Sequence, residues 1–324
     1  MHDFSRILKE ELICALGCTE PIAVALAGAR AREVLGSQPV KVDAYCSGNI
    51  IKNVMGVMVP NSDGMKGIDS AVALGIIAGV AQNGLEVLSD VSKDDIVKAR
   101  QLIEDKAITV HLKEGVPNLD VEIHLEDAAG NKVIVEIMNK HNNITRISYN
   151  GKEFIEAQVL GKAAEKDLYE KLNMESILEY ADHVDLSEIR EELENQITLN
   201  QAISDAGLTE EFGSSIGKIL LLGNDDLRTR ARAKAAAGSD ARMSGCALPV
   251  VINAGSGNQG ITCSIPVLEY ARELQADHET TLRALLISEL AALHIQKYSG
   301  RLSAFCGVTS AGAAAGAGIA YLYN

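Results

Sequence analysis

Between Ile108 and Tyr149 the hydrophobic pattern changes period, and that change constrains the fold more than any other feature of the sequence. Four segments, Ile108–Leu112, 120–125, 133–138 and Ile144–Tyr149, alternate apolar and polar residues, as strands with one buried face do. Pro117-Asn118, Gly130-Asn131 and Asn142-Asn143 separate them, and Ala128-Ala129-Gly130-Asn131 reads as a hairpin turn. An antiparallel meander is therefore expected.

On either side the period is helical. Phe4, Ile7, Leu8, Leu12 and Leu16 mark one helix, which stops at Gly17. The next, over 20–35, opens with Pro21 in its first turn, where a missing N–H costs little. Residues 39–46 alternate as a half-buried strand. A small-residue helix follows over 70–83, and another over 94–104 with Ser92 as its cap. From about Glu153 the chain reads as helical. Asp185 and Glu188 suggest a capping box for a helix reaching Ala202, and further helices are expected over 210–222, 227–237, 267–276, 280–297 and 303–322. Helices, then strands, then helices make an α+β protein rather than an alternating one. Two domains suit 324 residues. The expected division is a mainly helical domain built from both chain ends, residues 1–38 and 151–324, and a smaller antiparallel-sheet α/β sandwich domain over 39–150.

Aromatic residues are only 4% of the chain and Trp is absent. The core must be built from Ala, Leu, Ile and Val, with close backbone approaches at glycine. The net charge of −14 opposes a nucleic-acid partner, which needs a basic stripe to neutralise phosphate. The one basic cluster, Arg228, Arg230, Arg232 and Lys234, reads as a solvated helix face. The N-terminus opens with charge and lacks the apolar run of a signal peptide. Residues 70–80 are apolar but too short to span a bilayer. Residues 304–322 are long enough, yet rich in Ala and Gly and interrupted by Cys306, Thr309 and Ser310. A cytoplasmic protein with no membrane partner is expected. Its six cysteines, Cys14, Cys18, Cys46, Cys246, Cys263 and Cys306, are scattered. That speaks for metal, cluster or catalytic roles rather than a disulfide framework.

Gly255-Ser256-Gly257-Asn258-Gln259-Gly260 fits a G-x-G-x-x-G spacing. The helices expected after it do not make the βαβ unit of a dinucleotide fold. An anion-binding turn suits the context better, its N–H groups forming a nest flanked by the amides of Asn258 and Gln259; a purely structural turn is the other reading. Upstream, Arg242 can grip a carboxylate bidentately, whereas Cys246 reads as a ligand or as a small buried hydrophobe. Ser47-Gly48-Asn49 with Lys52 and Asn53 ends the first strand, as a close approach to a ligand or as a plain turn. His141 lies in an inter-strand loop, suited to general-base duty or merely exposed. Cys18 sits beside a helix N-terminus, where the dipole favours a thiolate. Cys306 lies near the start of the last helix and by itself proves nothing, since a cluster needs three or four thiolates.

Ala15-Leu-Gly-Cys18-Thr-Glu-Pro21, Ser47-Gly-Asn-Ile-Ile-Lys-Asn53, Gly56-Val57 through Pro60, Asp240-Ala-Arg242-Met, the glycine turn through Ile261, and Arg301-Leu-Ser303-Ala-Phe-Cys306 occur in this order along the chain. Together they resemble the L-cysteine desulfidase family, which is serine dehydratase α-chain-like. The resemblance implies a 4Fe–4S lyase that eliminates sulfide or water, with ammonia, from L-cysteine or L-serine to give pyruvate. In such proteins three thiolates hold the cluster, and the open iron acts as a Lewis acid. Cys18 is similar to the family's active-site cysteine, a base or nucleophile, with Lys52 and His141 as further catalytic candidates. Cys306 is similar to the first cluster ligand. Arg242, Ser256, Gly257, Asn258 and Gln259, with Ser47 and Asn49, make the expected substrate end. The family pattern carries two more ligand cysteines beyond the position of Asn324, so a C-terminally truncated chain is expected. Its cluster is then in question, and Cys246 and Cys263 are poor substitutes. An inactive or regulatory amino-acid-binding relative without the cluster is the alternative. A homodimer is compatible with the small-residue helices.

Overall fold

The computed structural model describes residues 3–154, 168–300, 302 and 306–324. Arg301 and Ser303 of the expected motif lie outside the described residues. The chain divides into two compact units, one of residues 15–160 and the other of residues 1–14 with 161–324. The expected boundary near residue 38 therefore falls at 14/15.

The reason for that shift is the helix α2, Thr19–Leu35. Ile22 through Ala29 are buried without interruption, and a helix apolar on all sides belongs inside a core. It packs against α4 (Gly67–Ala78) and against the strands β4 (Asp120–Asp127) and β5 (Lys132–Met138). A Cβ at Gly75 of α4 would stand 2.1 Å from the carbonyl oxygen of Ala25. The two helix backbones touch because neither carries bulk there. The small-residue composition is thus the packing device.

The sheet of this unit has six strands in the order β3-β2-β4-β5-β6-β7. Here β2 is Pro39–Cys46, β3 Ile108–Leu112, β6 Ile144–Tyr149 and β7 Lys152–Phe154. Strands β2, β4, β5, β6 and β7 pair antiparallel, but β3 pairs parallel with β2, Val42 opposite Ile108 and Cys46 opposite Leu112. The expected four-strand meander is corrected: β3 is not next to β4. The helices α3 (Gly48–Val54), α4 and α5 (Lys93–Glu104) lie in the connection from β2 to β3, as a parallel pairing requires. Alternation predicts a strand and its buried face but not its neighbour. The faces follow the alternation: Val42, Ala44, Val121, Ile123, Leu125, Val133, Val135 and Ile137 are buried. The opposite face carries Asp43, Tyr45, Glu122, His124, Glu136 and Arg146.

The second unit is helical. It opens with α1, Ser5–Glu11, shorter than expected because Cys14–Leu16 is extended as β1. Asp185 caps only a single 3-10 turn, and the following long helix α7 spans Arg190–Thr209. Other helices are α6 (Met174–His183), α8 (Ile216–Leu221), α9 (Leu227–Met243), α10 (Gly257–Glu273), α11 (His278–Ser299) and α12 (Val308–Leu322). The short strand β8 is Pro249–Val251. Helix α10 starts ten residues earlier than expected and runs through Pro266. Proline normally ends a helix. Here α10 packs against α7, α9, α11 and α12, and its burial outweighs the lost hydrogen bond. No helix among the described residues is long and apolar enough to cross a membrane.

Candidate functional site

In the sheet-bearing unit, three chain segments meet at one end of the sheet. The Ser47 N–H, at the exit of β2, donates to the Asp120 carbonyl at 3.0 Å, and the Asn139 N–H, at the exit of β5, donates to the Leu119 carbonyl at 3.0 Å. Ser47 is buried; its hydroxyl donates to the Asn118 carbonyl at 2.6 Å and accepts from the Ile50 N–H. The hydroxyl expected to bind substrate is therefore already engaged as the cap of α3. Asn49 is half-buried and Lys52 exposed on that helix. His141, expected in an inter-strand loop, is there but is buried, at 6% exposure.

Helix α3 also carries Asn53, whose Nδ2 donates to Glu20 Oε1 at 3.1 Å. The other carboxylate oxygen of Glu20 accepts from the Cys18 thiol at 3.0 Å. Cys18 is buried and stands at the N-cap of α2. Gly17 makes this arrangement fit: its φ is +62°, and a Cβ there would lie 2.2 Å from Cγ of Pro60. The expectation of a thiol at a helix start holds. Its immediate partner is a carboxylate that sequence reasoning did not single out. Glu20 stood in the motif, but nothing in the spacing ties Asn53 to it.

In the helical unit the glycine turn and Arg242 come together. Asn253 and Ser256 exchange both backbone hydrogen bonds, N–H to carbonyl, at 3.1 and 2.9 Å. The turn between them holds Ala254 at φ +50° and Gly255 at φ +81°, the two positive angles of a tight hairpin turn. Helix α10 then begins at Gly257. A Cβ on Gly257 would stand 2.3 Å from Nε of Arg242, so the missing side chain makes room for the guanidinium. Arg242 is buried, at 3% exposure, and its Nη1 donates to Oδ1 of Asn258 at 3.0 Å. Its Nε and Nη2 are buried with no acceptor among the described residues. Ser256 and Asn258 remain half-exposed. Gln259 is buried, and a Cβ on Gly307 would meet its Nε2 at 2.7 Å. The Gln259 amide thereby lies against the residue next to Cys306.

The thiols differ in what they can ligate. Cys306 is exposed. Cys263 is fully buried with Ala291, Ala292, Ala311 and Ala314, and burial pushes its thiol well above the ordinary range. Burial also raises the Cys246 thiol, and raises that of Cys46 to about 12. A thiol that resists ionisation is a poor metal ligand. Among the described residues no three His, Cys, Asp or Glu side chains gather as a metal-holding group. The donors present do not fit a cluster held by three thiolates.

A buried guanidinium faces a glycine turn at a helix start, an arrangement able to receive a small carboxylate. Comparison with known proteins then places the chain. Residues 82–324 match the serine dehydratase alpha chain family, and the protein belongs to that family. A UPF0597 protein of Finegoldia magna is 56% identical over 99% of this chain and 77% of its own length. A UPF0597 protein of Desulfitobacterium hafniense is 46% identical over 99% of this chain and 75% of its own, and one of Lachnoclostridium phytofermentans is 44% identical over 98% and 76%. The chain is a serine dehydratase-like protein. The chain spans about three quarters of the length of these relatives.

Proposed function

We propose that this chain is a lyase that eliminates water from L-serine or sulfide from L-cysteine, leaving pyruvate and ammonia. The observation that carries the reading is Arg242. A buried cation with no counter-charge among the described residues is costly, and its Nε and Nη2, which have no acceptor there, suit a carboxylate in bidentate fashion. Gly257 and the first turn of α10 supply the small, N–H-lined surroundings that such an anion prefers. Serine and cysteine both present that carboxylate and leave Cα and Cβ open to chemistry. Membership of the serine dehydratase alpha chain family supports the choice of amino acid.

In the elimination the Cα–H bond breaks, its electrons form the Cα=Cβ bond, and the Cβ–O or Cβ–S bond breaks with its pair. The leaving hydroxide or hydrosulfide takes a proton. The resulting 2-aminoacrylate becomes the imine, and water releases ammonia. By its likeness to the family's active-site cysteine, and not by any placement beside Arg242, Cys18 is the proposed base. Glu20, 3.0 Å from its sulfur, accepts the thiol proton, and Asn53 steadies Glu20. His141 and Lys52 are secondary candidates for the base, and Asn49 is a candidate for substrate binding. The 4Fe–4S centre implied by the resemblance stays outside these steps, because the described residues gather no ligand set around Cys306.

The test is anaerobic incubation of the protein, treated with iron and sulfide, with L-serine and L-cysteine. Pyruvate, and sulfide from cysteine, are the expected products. Cys18→Ser should abolish turnover, and Arg242→Gln should raise KM about tenfold to a hundredfold, the effect of losing hydrogen bonds to a charged group. Undiminished turnover in Cys18→Ser would exclude the thiol as the base. A second reading, an amino-acid-binding relative without turnover, draws on the exposed Cys306 thiol, around which no three donors gather among the described residues. Isothermal titration showing serine or cysteine binding with no pyruvate formed would favour it.

A further inference from the structure

Behind the glycine turn lies a fully buried polar group of side chains that the proposed chemistry does not use. Asn200 of α7 accepts from the Val251 N–H at 2.9 Å and donates to the Val251 carbonyl at 3.2 Å and to the Ser264 hydroxyl at 3.1 Å. Two residues on, Asn253 donates its Nδ2 to Oε2 of Glu289 at 2.6 Å and to the Glu289 carbonyl at 3.1 Å. Asn200, Asn253 and Glu289 all have 0% exposure. The Gln196 amide faces the same Glu289 carboxyl, and Cys263 is the titratable group beside it. Strand β8 and the residue that opens the turn are therefore clamped to α7, α10 and α11.

The clamp has something to hold. Ala254 sits at φ +50°, a conformation that costs a residue with a Cβ roughly 1–2 kcal/mol. Such backbone persists only where its surroundings over-determine it. The turn cannot relax inward, because a Cβ on Gly260 would already stand 2.1 Å from the Val251 carbonyl oxygen. Its direction decides where Ser256, Gly257 and Asn258 stand relative to Arg242.

We propose that Glu289 is a positioning residue for the carboxylate-gripping turn: through Asn253 it sets the Ala254–Gly255 backbone, and so the placement of Ser256–Asn258 against Arg242. The inference rests on the reading of Arg242 as the carboxylate anchor. A carboxyl with no exposure and no cationic partner among the described residues serves no purpose in packing that an apolar side chain of similar volume would not serve as well.

The test is isothermal titration of the full chain with L-serine, L-cysteine and L-serinamide, the last lacking the carboxylate. Glu289→Leu keeps volume but removes the acceptor. It should fold, by circular dichroism, and bind both acids at least tenfold more weakly while leaving serinamide unchanged. Glu289→Gln keeps an acceptor for Asn253 and should retain parental affinity. Arg242→Gln is the control for the anchor and should show the same selective loss. Parental affinity in folded Glu289→Leu, with Arg242→Gln impaired, overturns the positioning role and leaves the anchor standing. Weakened binding in folded Glu289→Gln also overturns it. Undiminished acid binding in Arg242→Gln overturns the anchor and the positioning role together. If Glu289→Leu fails to fold, Glu289→Gln decides the matter alone.

Discussion

At the scale of single residues, buried charge is what distinguishes this chain. Glu289 has no access to solvent, and burial raises its carboxyl to about 8, against the pull of the Asn253 and Gln196 amides. Its folded-state value thus lies above the unfolded one, about 4.3. The stability it contributes is complete below that unfolded value and is lost as pH rises through about 8. Thermal melts of the parent should therefore fall between pH 5 and pH 8.5. Glu289→Gln removes the titration, so its melting temperature should change less across that window; an equal fall in both proteins would assign the loss to other groups. Glu122 is the opposite case. His124 at 2.5 Å, with Lys113 at 2.5 Å, draws its carboxyl down to about 2, so its contribution is present at neutral pH and disappears only as pH falls toward that value.

At the scale of elements, small residues decide which helices can meet. Gly75 on α4 touches the backbone of Ala25 on α2, and Gly207 on α7 touches that of Ala237 on α9: an added Cβ would stand 2.1 Å from a carbonyl oxygen in each place. Gly75→Ala should cost about 1–3 kcal/mol, the usual range for overpacking a core, read as a lower denaturant midpoint. Gly312, within α12, meets nothing within 4 Å when a Cβ is added. Gly312→Ala should stabilise by up to about 1 kcal/mol, the helix-propensity difference. Equal effects of the two substitutions would contradict the packing account. The contrast is invisible in the sequence, where both glycines sit in Ala-rich runs. The helix at 93–104 was legible, by comparison, since Ser92 and Asp95 form a complete capping box and every partner lies within three residues.

At the scale of the whole molecule, two compact units, each with its own core, share one chain that passes between them at 14/15 and 160/161. Scanning calorimetry should accordingly give a calorimetric enthalpy above the van't Hoff value, as two-state unfolding fails for multi-unit chains; equal enthalpies would mean that the units unfold as one. The net charge of −14 predicts no retention on heparin at 0.15 M salt. Sequence alone determined whatever depends on neighbours along the chain: the α+β class, the alternating faces of the strands, the Ser92 cap and the Cys18 and Gly257 motifs. Tertiary structure alone decided that β3 joins β2 in parallel, that α2 belongs with the sheet, that Glu20 receives the Cys18 thiol, and that Glu289 lies behind the glycine turn. The physical reason is range. Periodicity and capping are set by residues within a turn or two, whereas Asn253 and Glu289 are 36 residues apart, and only packing, through burial and the absence of competing water, tells the chain that they meet.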